Sequence, residues 1–304
     1  MTTTALGDER TRELLRRLEL DVERRLDGLL QGDYRGLVNG RGAEPGEARE
    51  YQPGDDIRRM DWNVTARMAS PHVRDTIADR ELETTVVVDL SPSVDFGTTV
   101  RRKSELVLAI VAAIGMLTDR TGNRLGAVVV DGSDLTEFRA RTGRRNLLAL
   151  LQRLATHAPS GSGASASLAD ALRRLSSPSR RRGLAVLVSD LLDPNWDDAL
   201  KAVSRRHETL VVEVVDPREL ELPNVGVIEL RDRETGAVRE IDTRSRKLRD
   251  RYAAAGRERL ADHARRVREA GADHLVLRTS DDWVLELARF VDQRRRRAGR
   301  RPHP

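Results

Sequence analysis

Thr84-Thr-Val-Val-Val-Asp89-Leu-Ser91-Pro-Ser93 decides the reading of this chain. Five β-branched residues precede Asp89, with no polar break after Thr85. A short apolar run of this kind, ending in a carboxylate and a turn, reads as a strand buried on both faces. The same texture returns at 125–130, at 184–188 before Ser189-Asp190, at 209–215 and at 274–277. Helical patterns separate these runs at 100–121, 144–156, 167–175, 195–207 and 246–270, and one more follows at 283–293. Strands alternating with helices predict an α/β fold with a mostly parallel sheet covered on both faces. Residues 135–140 fit an edge strand beside 125–130. Val225–Leu230 and Ala237–Ile241 flank Glu234-Thr-Gly236 and read as a hairpin inserted near 222–243.

Upstream, Leu14, Leu15, Leu18, Val22, Leu26 and Leu29 make one face of a helix over residues 8–30. The segment 31–53 is rich in glycine and reads as an extended loop. The chain therefore divides into an N-terminal helix and extended segment (1–80), a sheet domain (81–293) and a basic tail (294–304).

The 304 residues include no cysteine, which excludes disulfides, thiolate metal sites and cysteine nucleophiles. Only 3% are aromatic, so Leu, Val, Ile and Ala must build the core. The 54 basic residues are interleaved with 49 acidic ones, so the net charge of +5 is not a nucleic-acid footprint by itself. The first residues lack the apolar core of a signal peptide, and no run reaches the ~18 apolar residues of a membrane span. A cytoplasmic location is the expectation.

In an open α/β sheet, ligands bind beyond the carboxyl ends of the strands, where strand order reverses. Asp89 ends the first buried strand, and Ser91 and Ser93 follow at alternate positions. Three hard oxygens at one turn suit a divalent cation such as Mg²⁺, with Mn²⁺ or Ca²⁺ as alternatives. Asp190 ends a second strand in the same way. If the two strands are neighbours, both carboxylates face one ion. The small-residue loop 161–167 opens a helix and offers Ser165 or Ser167 as one more hydroxyl.

Asp89-x-Ser91-x-Ser93 with the distant Asp190 resembles the metal-ion-dependent adhesion site (MIDAS) of von Willebrand factor A domains. That site also uses a threonine, and Ala166 stands at the matching position here. Ser165, Ser167 or water is then left to fill it. A second signature, Arg49-Glu-Tyr51-Gln-Pro-Gly54-Asp55-Asp56-Ile-Arg58-Arg-Met-Asp61-Trp62 through Ala66-Arg67, resembles the bacterial family called domain of unknown function number 58. The resemblance runs from about 29 to 296. It implies a von Willebrand factor A-like fold, a metal-dependent grip on an acidic residue of a partner protein, and a MoxR-type AAA+ ATPase as that partner. Asp55, Asp56, Arg58, Asp61 and Arg67 are then expected to form a knot of ion pairs, with Trp62 as a buried anchor, or else a surface that a partner reads.

Two other functions compete with this one. A Mg²⁺-dependent phosphatase wants a second carboxylate where Ser91 stands, and Ser91 cannot serve as an acid–base group at neutral pH. No Gly-x-x-x-x-Gly-Lys loop is present, and the six histidines are scattered and read as surface or satisfied core residues. Nucleic-acid binding would rest on Arg294–Arg297, Arg300 and Arg301, a basic run with no interleaved aromatic. The chain is therefore read as a binding module and not an enzyme.

Overall fold

A computed structural model of the chain describes residues 22, 24–26, 45–52, 57, 60–68, 70–76, 82–132, 134–156, 166–177, 180–231 and 236–298. In chain order the strands are β1 (Pro45–Glu50), β2 (His72–Thr76), β3 (Glu83–Asp89), β4 (Arg124–Val130), β5 (Leu135–Arg141), β6 (Gly183–Ser189), β7 (Glu208–Val215), β8 (Val227–Arg231), β9 (Val238–Asp242) and β10 (Asp273–Arg278). The helices are α1 (Trp62–Met68), α2 (Lys103–Arg120), α3 (Arg144–Ala155), α4 (Leu168–Leu175), α5 (Asp197–Ser204), α6 (Arg246–Glu269) and α7 (Trp283–Ala298).

Six strands form the main sheet in the order β10-β7-β6-β3-β4-β5. All neighbours run parallel except β5, which closes one edge antiparallel to β4. Counted from β3, this is the doubly wound order, and it reverses between β3 and β6. The two strands ending in Asp89 and at Asp190 are therefore hydrogen-bonded neighbours at the switch point, in a register that sets Val88 beside Val188.

Why the apolar runs lack alternation is visible in β3. Val86 and Val88 join one core with Ile110 and Leu117 of α2, Leu147 of α3 and Leu287 of α7. Val87 joins the other core with Leu172 of α4, Trp196, Leu200 of α5 and Val267 of α6. A strand sandwiched this way must be apolar at every position. Helices α2 and α3 pack closely because of Gly115, where a Cβ would stand 2.3 Å from Leu147 Cδ1. Of the N-terminal helix, residues 22 and 24–26 are described as helical, and Val22 and Leu26 are buried in the first core. The hairpin β8–β9 is present as expected and stands apart from the main sheet.

Two expectations change. Trp62 is not an anchor: it is 68% exposed, because it opens α1, a helix that buries none of its residues. The last helix does not stop at 293. It runs to Ala298, and Arg294 is buried within it, ion-paired to Glu208 and Asp273 at 2.9 Å each. The first residue of the expected basic tail therefore fastens α7 to β7 and β10.

Candidate functional site

The backbone turns sharply after β3, and that turn brings the Asp89 motif together. Leu90 N donates to Val130 O of β4, and Pro92–Val94 forms a single 3₁₀ turn. Asp89 Oδ1 accepts from Ser91 N at 3.0 Å. The hydroxyls of Ser91 and Ser93 lie 3.1 Å apart. Asp89 Oδ2 accepts from Ser189 Oγ at 2.5 Å, across the strand boundary with β6. Ser189 Oγ accepts in turn from Leu191 N at 2.9 Å. Leu191 adopts φ 57° although it is not glycine. Such left-handed backbone in a buried apolar residue costs free energy and is found where a site needs it.

Asp89 is buried to 2% exposure. Burial, followed by the charge of Asp190, pushes its carboxyl up to about 6, against the bonds from Ser189 and Ser91. Among the described residues it has no ion-pair partner. Asp190 beside it is placed differently. Its Oδ1 accepts from Leu192 N at 3.2 Å, and its Oδ2 accepts from Lys103 Nζ at 2.8 Å.

Nothing in the sequence singles out Lys103, one of several charged residues at a helix start. It is fully buried, at the first position of α2. Its ammonium also donates to Glu219 Oε1 at 2.6 Å and lies 5.8 Å from the Phe96 ring centroid. Burial alone would lower its pKa; the carboxylates of Asp190 and Glu219 reverse that and hold it above the ordinary lysine value. No local signal marks Lys103, since Asp190 and Glu219 are 87 and 116 residues away in sequence.

The network continues through Glu219, whose Oε2 accepts from Asp216 N at 2.9 Å. Asp216 follows β7 and is fully buried. It accepts from Thr98 N and Oγ1 at 2.9 and 2.6 Å, from Arg218 N at 2.9 Å and from Thr279 Oγ1 at 2.9 Å. Burial would raise its pKa, but the bonds from Thr98, Arg218 and Thr279 outweigh it and leave the carboxyl below its ordinary value. Asp193 is a further carboxylate by the site: it accepts from Leu168 N at 2.5 Å, and burial leaves its pKa raised.

The other predicted residues separate into three groups. Ser167 caps α4: its hydroxyl accepts from Asp170 N at 3.1 Å and donates to Asp170 Oδ2 at 2.7 Å. Asp61 caps α1, accepting from Asn63 N and Val64 N at 3.1 and 3.2 Å, and Arg67 lies exposed on that helix. Ser165, Asp55, Asp56 and Arg58 lie outside the described residues, as do Arg300 and Arg301. The histidine expectation holds at four positions. His72 meets Ser70 O, and His207 meets Leu175 O. His263 and His274 both bond the buried Glu213, at 2.7 and 2.9 Å. His157 and His303 lie outside the described residues.

Hard oxygens are the donors at this rim, which fits the chemistry of a hard divalent cation. The ammonium of Lys103 already answers Asp190, so Asp89, Ser91 and Ser93 are the groups left to hold one. Among the described residues no group of three or more His, Cys, Asp or Glu is placed to hold a metal, so a cation here would lean on the hydroxyls.

The family profile described as "Protein of unknown function DUF58" matches residues 47–262. The chain belongs to that family. Its relatives include the "Uncharacterized protein Rv1480" of Mycobacterium tuberculosis, 50% identical over 294 residues, covering 96% of this chain and 92% of the relative. A Mycobacterium avium relative, "Uncharacterized protein MAV169", is 46% identical over 165 residues, covering 54% of this chain and 97% of its own. Among solved structures, BatB from Bacteroides thetaiotaomicron is similar at TM-score 0.46 and 14% identity, over 71% of this chain and 99% of BatB. The SpRpn10 VWA domain is similar at TM-score 0.38 and 8% identity, over 68% and 93%. No helix among the described residues is long and apolar enough to cross a membrane.

Proposed function

We propose that this DUF58 member is a cytoplasmic protein-interaction module whose contact point is the sheet rim at Asp89, Ser91 and Ser93, with Mg²⁺ as cofactor. One observation carries the reading. Asp89 is a buried carboxyl at the switch point, pushed up to about 6, beside two converging hydroxyls. A carboxylate disfavoured by burial and by a neighbouring negative charge gains most from an added cation. When bound, Mg²⁺ supplies a positive centre that takes one more hard oxygen, such as a partner's Asp or Glu side chain. Lys103 offsets Asp190, so the positive charge that an acidic visitor meets is supplied by the Mg²⁺ itself.

The DUF58 resemblance adds a MoxR-type AAA+ ATPase as the partner and an adaptor role in protein assembly or remodelling. On this reading the protein is not an enzyme, because Ser91 stands where a phosphatase acid–base carboxylate would be. Isothermal titration of the intact chain with Mg²⁺ tests the core of the proposal. Heat of binding should appear in the wild type and vanish in Asp89→Ala and Ser93→Ala. Tagged wild-type protein should co-purify with a AAA+ ATPase, and excess EDTA should release it. An ATPase retained in EDTA rules out the metal-dependent grip, and phosphatase turnover abolished by Asp89→Asn overturns the non-enzymatic assignment.

A further inference from the structure

An open groove of about 1310 Å³ begins at Ser93 and Phe96 and runs beneath the hairpin β8–β9. The hairpin's register explains its lining. Ile228 pairs with Ile241, and Leu230 with Arg239, so these four share one face of the ribbon. That face lines the groove, opposite Leu248 and Tyr252 of α6. The opposite face of the hairpin carries Val227, Glu229, Arg231, Val238, Glu240 and Asp242, all exposed. A two-stranded ribbon with one apolar face is normally packed on something. Here Leu230 remains 36% exposed, and Val225, at the approach to β8, is 62% exposed. Among the described residues, three of the nine exposed large apolar side chains line this groove, Leu192, Val225 and Leu230, and Val227 and Val238 stand exposed on the ribbon's other face. Such concentration marks an interaction surface.

Charge selects the occupant. Arg218, Arg239 and Arg251 line the groove against one acid, Glu219, while Glu229 and Arg231 reach its edge from the ribbon's other face. Glu219 is committed to Lys103. Glu229 lies 3.8 Å from Arg231. Among the described residues Arg218, Arg239 and Arg251 make no ion pair. We infer that this groove docks an extended segment of a partner protein in which acidic residues alternate with aliphatic or aromatic ones. The apolar side chains fill the floor at Ile228, Leu230 and Ile241, and the carboxylates meet the arginines, which form bidentate pairs with them. The apolar floor disfavours a nucleic-acid backbone, and only Phe96 and Tyr252 could stack a base. The groove opens beside Ser93, so this inference rests on the interaction reading above and extends it by naming the segment and its bed.

The test pans a phage-displayed library of random short peptides on the intact chain, in buffers with Mg²⁺ and with EDTA. Enrichment of peptides mixing Asp or Glu with Leu, Ile, Val or Phe is the expected result. A synthetic copy of the leading peptide should lose roughly tenfold or more in affinity on Leu230→Glu, and on Arg239→Glu. Leu230 is partly exposed and Arg239 exposed, so both variants should keep the wild-type melting temperature and the Mg²⁺ heat. Binding that survives EDTA and Asp89→Ala keeps the groove while removing the metal reading; Mg²⁺ heat without any selected peptide does the reverse. The inference is overturned by no enrichment, by enrichment of basic peptides, or by equal binding to both variants. It is also overturned if Leu230→Glu converts a dimer to a monomer in sedimentation, which would make a second copy the occupant.

Discussion

Asp89 and Asp216 both sit at the carboxyl edge of the sheet, and both are buried. They differ in what surrounds them. Asp216 receives four hydrogen bonds from Thr98, Arg218 and Thr279 and touches no other carboxylate in that set. Asp89 receives two, from Ser91 and Ser189, and lies beside the charge of Asp190. Their pKa values move in opposite directions accordingly, Asp216 below and Asp89 above the ordinary range. Burial alone therefore does not mark a functional carboxylate. Asp216 behaves as a rivet that joins the loop after β3 to the ends of β7 and β10. Asp89 keeps a deficit that an added cation or a proton can relieve.

The comparison is tested hardest at Lys103, which keeps Asp190 from pressing further on Asp89. Lys103→Met leaves Asp190 and Glu219 buried without their cation. A loss of about 3–5 kcal/mol in urea unfolding is expected for a broken buried pair. If that variant is as stable as the wild type, Asp190 and Glu219 are not held by the ammonium, and the contrast between the two rim carboxylates loses its basis. Next in size is Asp216→Ala, which strands donors from Thr98, Arg218 and Thr279; roughly 2–4 kcal/mol should be lost. Asp89→Asn at neutral pH should instead be close to neutral, because it removes a charge that burial disfavours. Equal losses at the two positions would erase the distinction.

Their opposite shifts also give opposite pH slopes. A carboxyl raised in the folded state binds its proton more tightly there than in the unfolded chain. Asp89 should thus make the fold lose roughly 2–3 kcal/mol as pH rises from about 4 to its folded value. The folded value is about 6. Asp216 is lowered, so its contribution is complete above the unfolded value near 4 and is lost as pH falls through the folded value. Unfolding free energies taken across this range should fall on both sides, and Asp89→Asn should flatten the upper side only. A wild-type profile that rises steadily from pH 4 to 6 would contradict the state assigned to Asp89.

The parts of this molecule that were legible in sequence share one property: their signal is local. Val86 to Val88 declare a two-faced strand because each neighbour on either side is apolar, and Asp89 and Asp190 stand out because each ends such a run. Adjacency of β3 and β6 was only a condition of that reading, and the strand order supplies it. Lys103 was illegible for the opposite reason. It sits among Arg101, Arg102 and Glu105 in a stretch that looks like a charged helix start, and only the return of Asp190 and Glu219 from later strands shows that it is enclosed. Arg294 misled in the same way, as the first of four arginines whose partners lie on β7 and β10. Ser167 was legible as a hydroxyl near a helix start, but Asp170, three residues on, makes it a capping box rather than a free donor. Trp62 erred in the other direction, since an aromatic in a dense motif suggests an anchor until its helix proves to bury nothing.

The smallest expected effect decides whether a cation or only a proton relieves Asp89. A ligand that binds the native state alone stabilises by RT ln(1 + [L]/Kd), so Mg²⁺ at about ten times its dissociation constant adds roughly 1.4 kcal/mol. For a chain of this size that corresponds to a rise of a few degrees in melting temperature. The rise should be present at pH 7, where Asp89 is ionised, and should shrink at pH 5, where most of it is protonated, because Mg²⁺ and the proton compete for the same carboxylate. Asp89→Asn and Ser93→Ala should abolish it, while Asp170→Asn, a cap on the exposed side of α4, should leave it intact. A shift that is the same at both pH values, or that survives Asp89→Asn, would mean that Mg²⁺ stabilises the chain somewhere else. The deficit at Asp89 would then be met by its proton alone, and the metal-dependent part of the proposed function would fall.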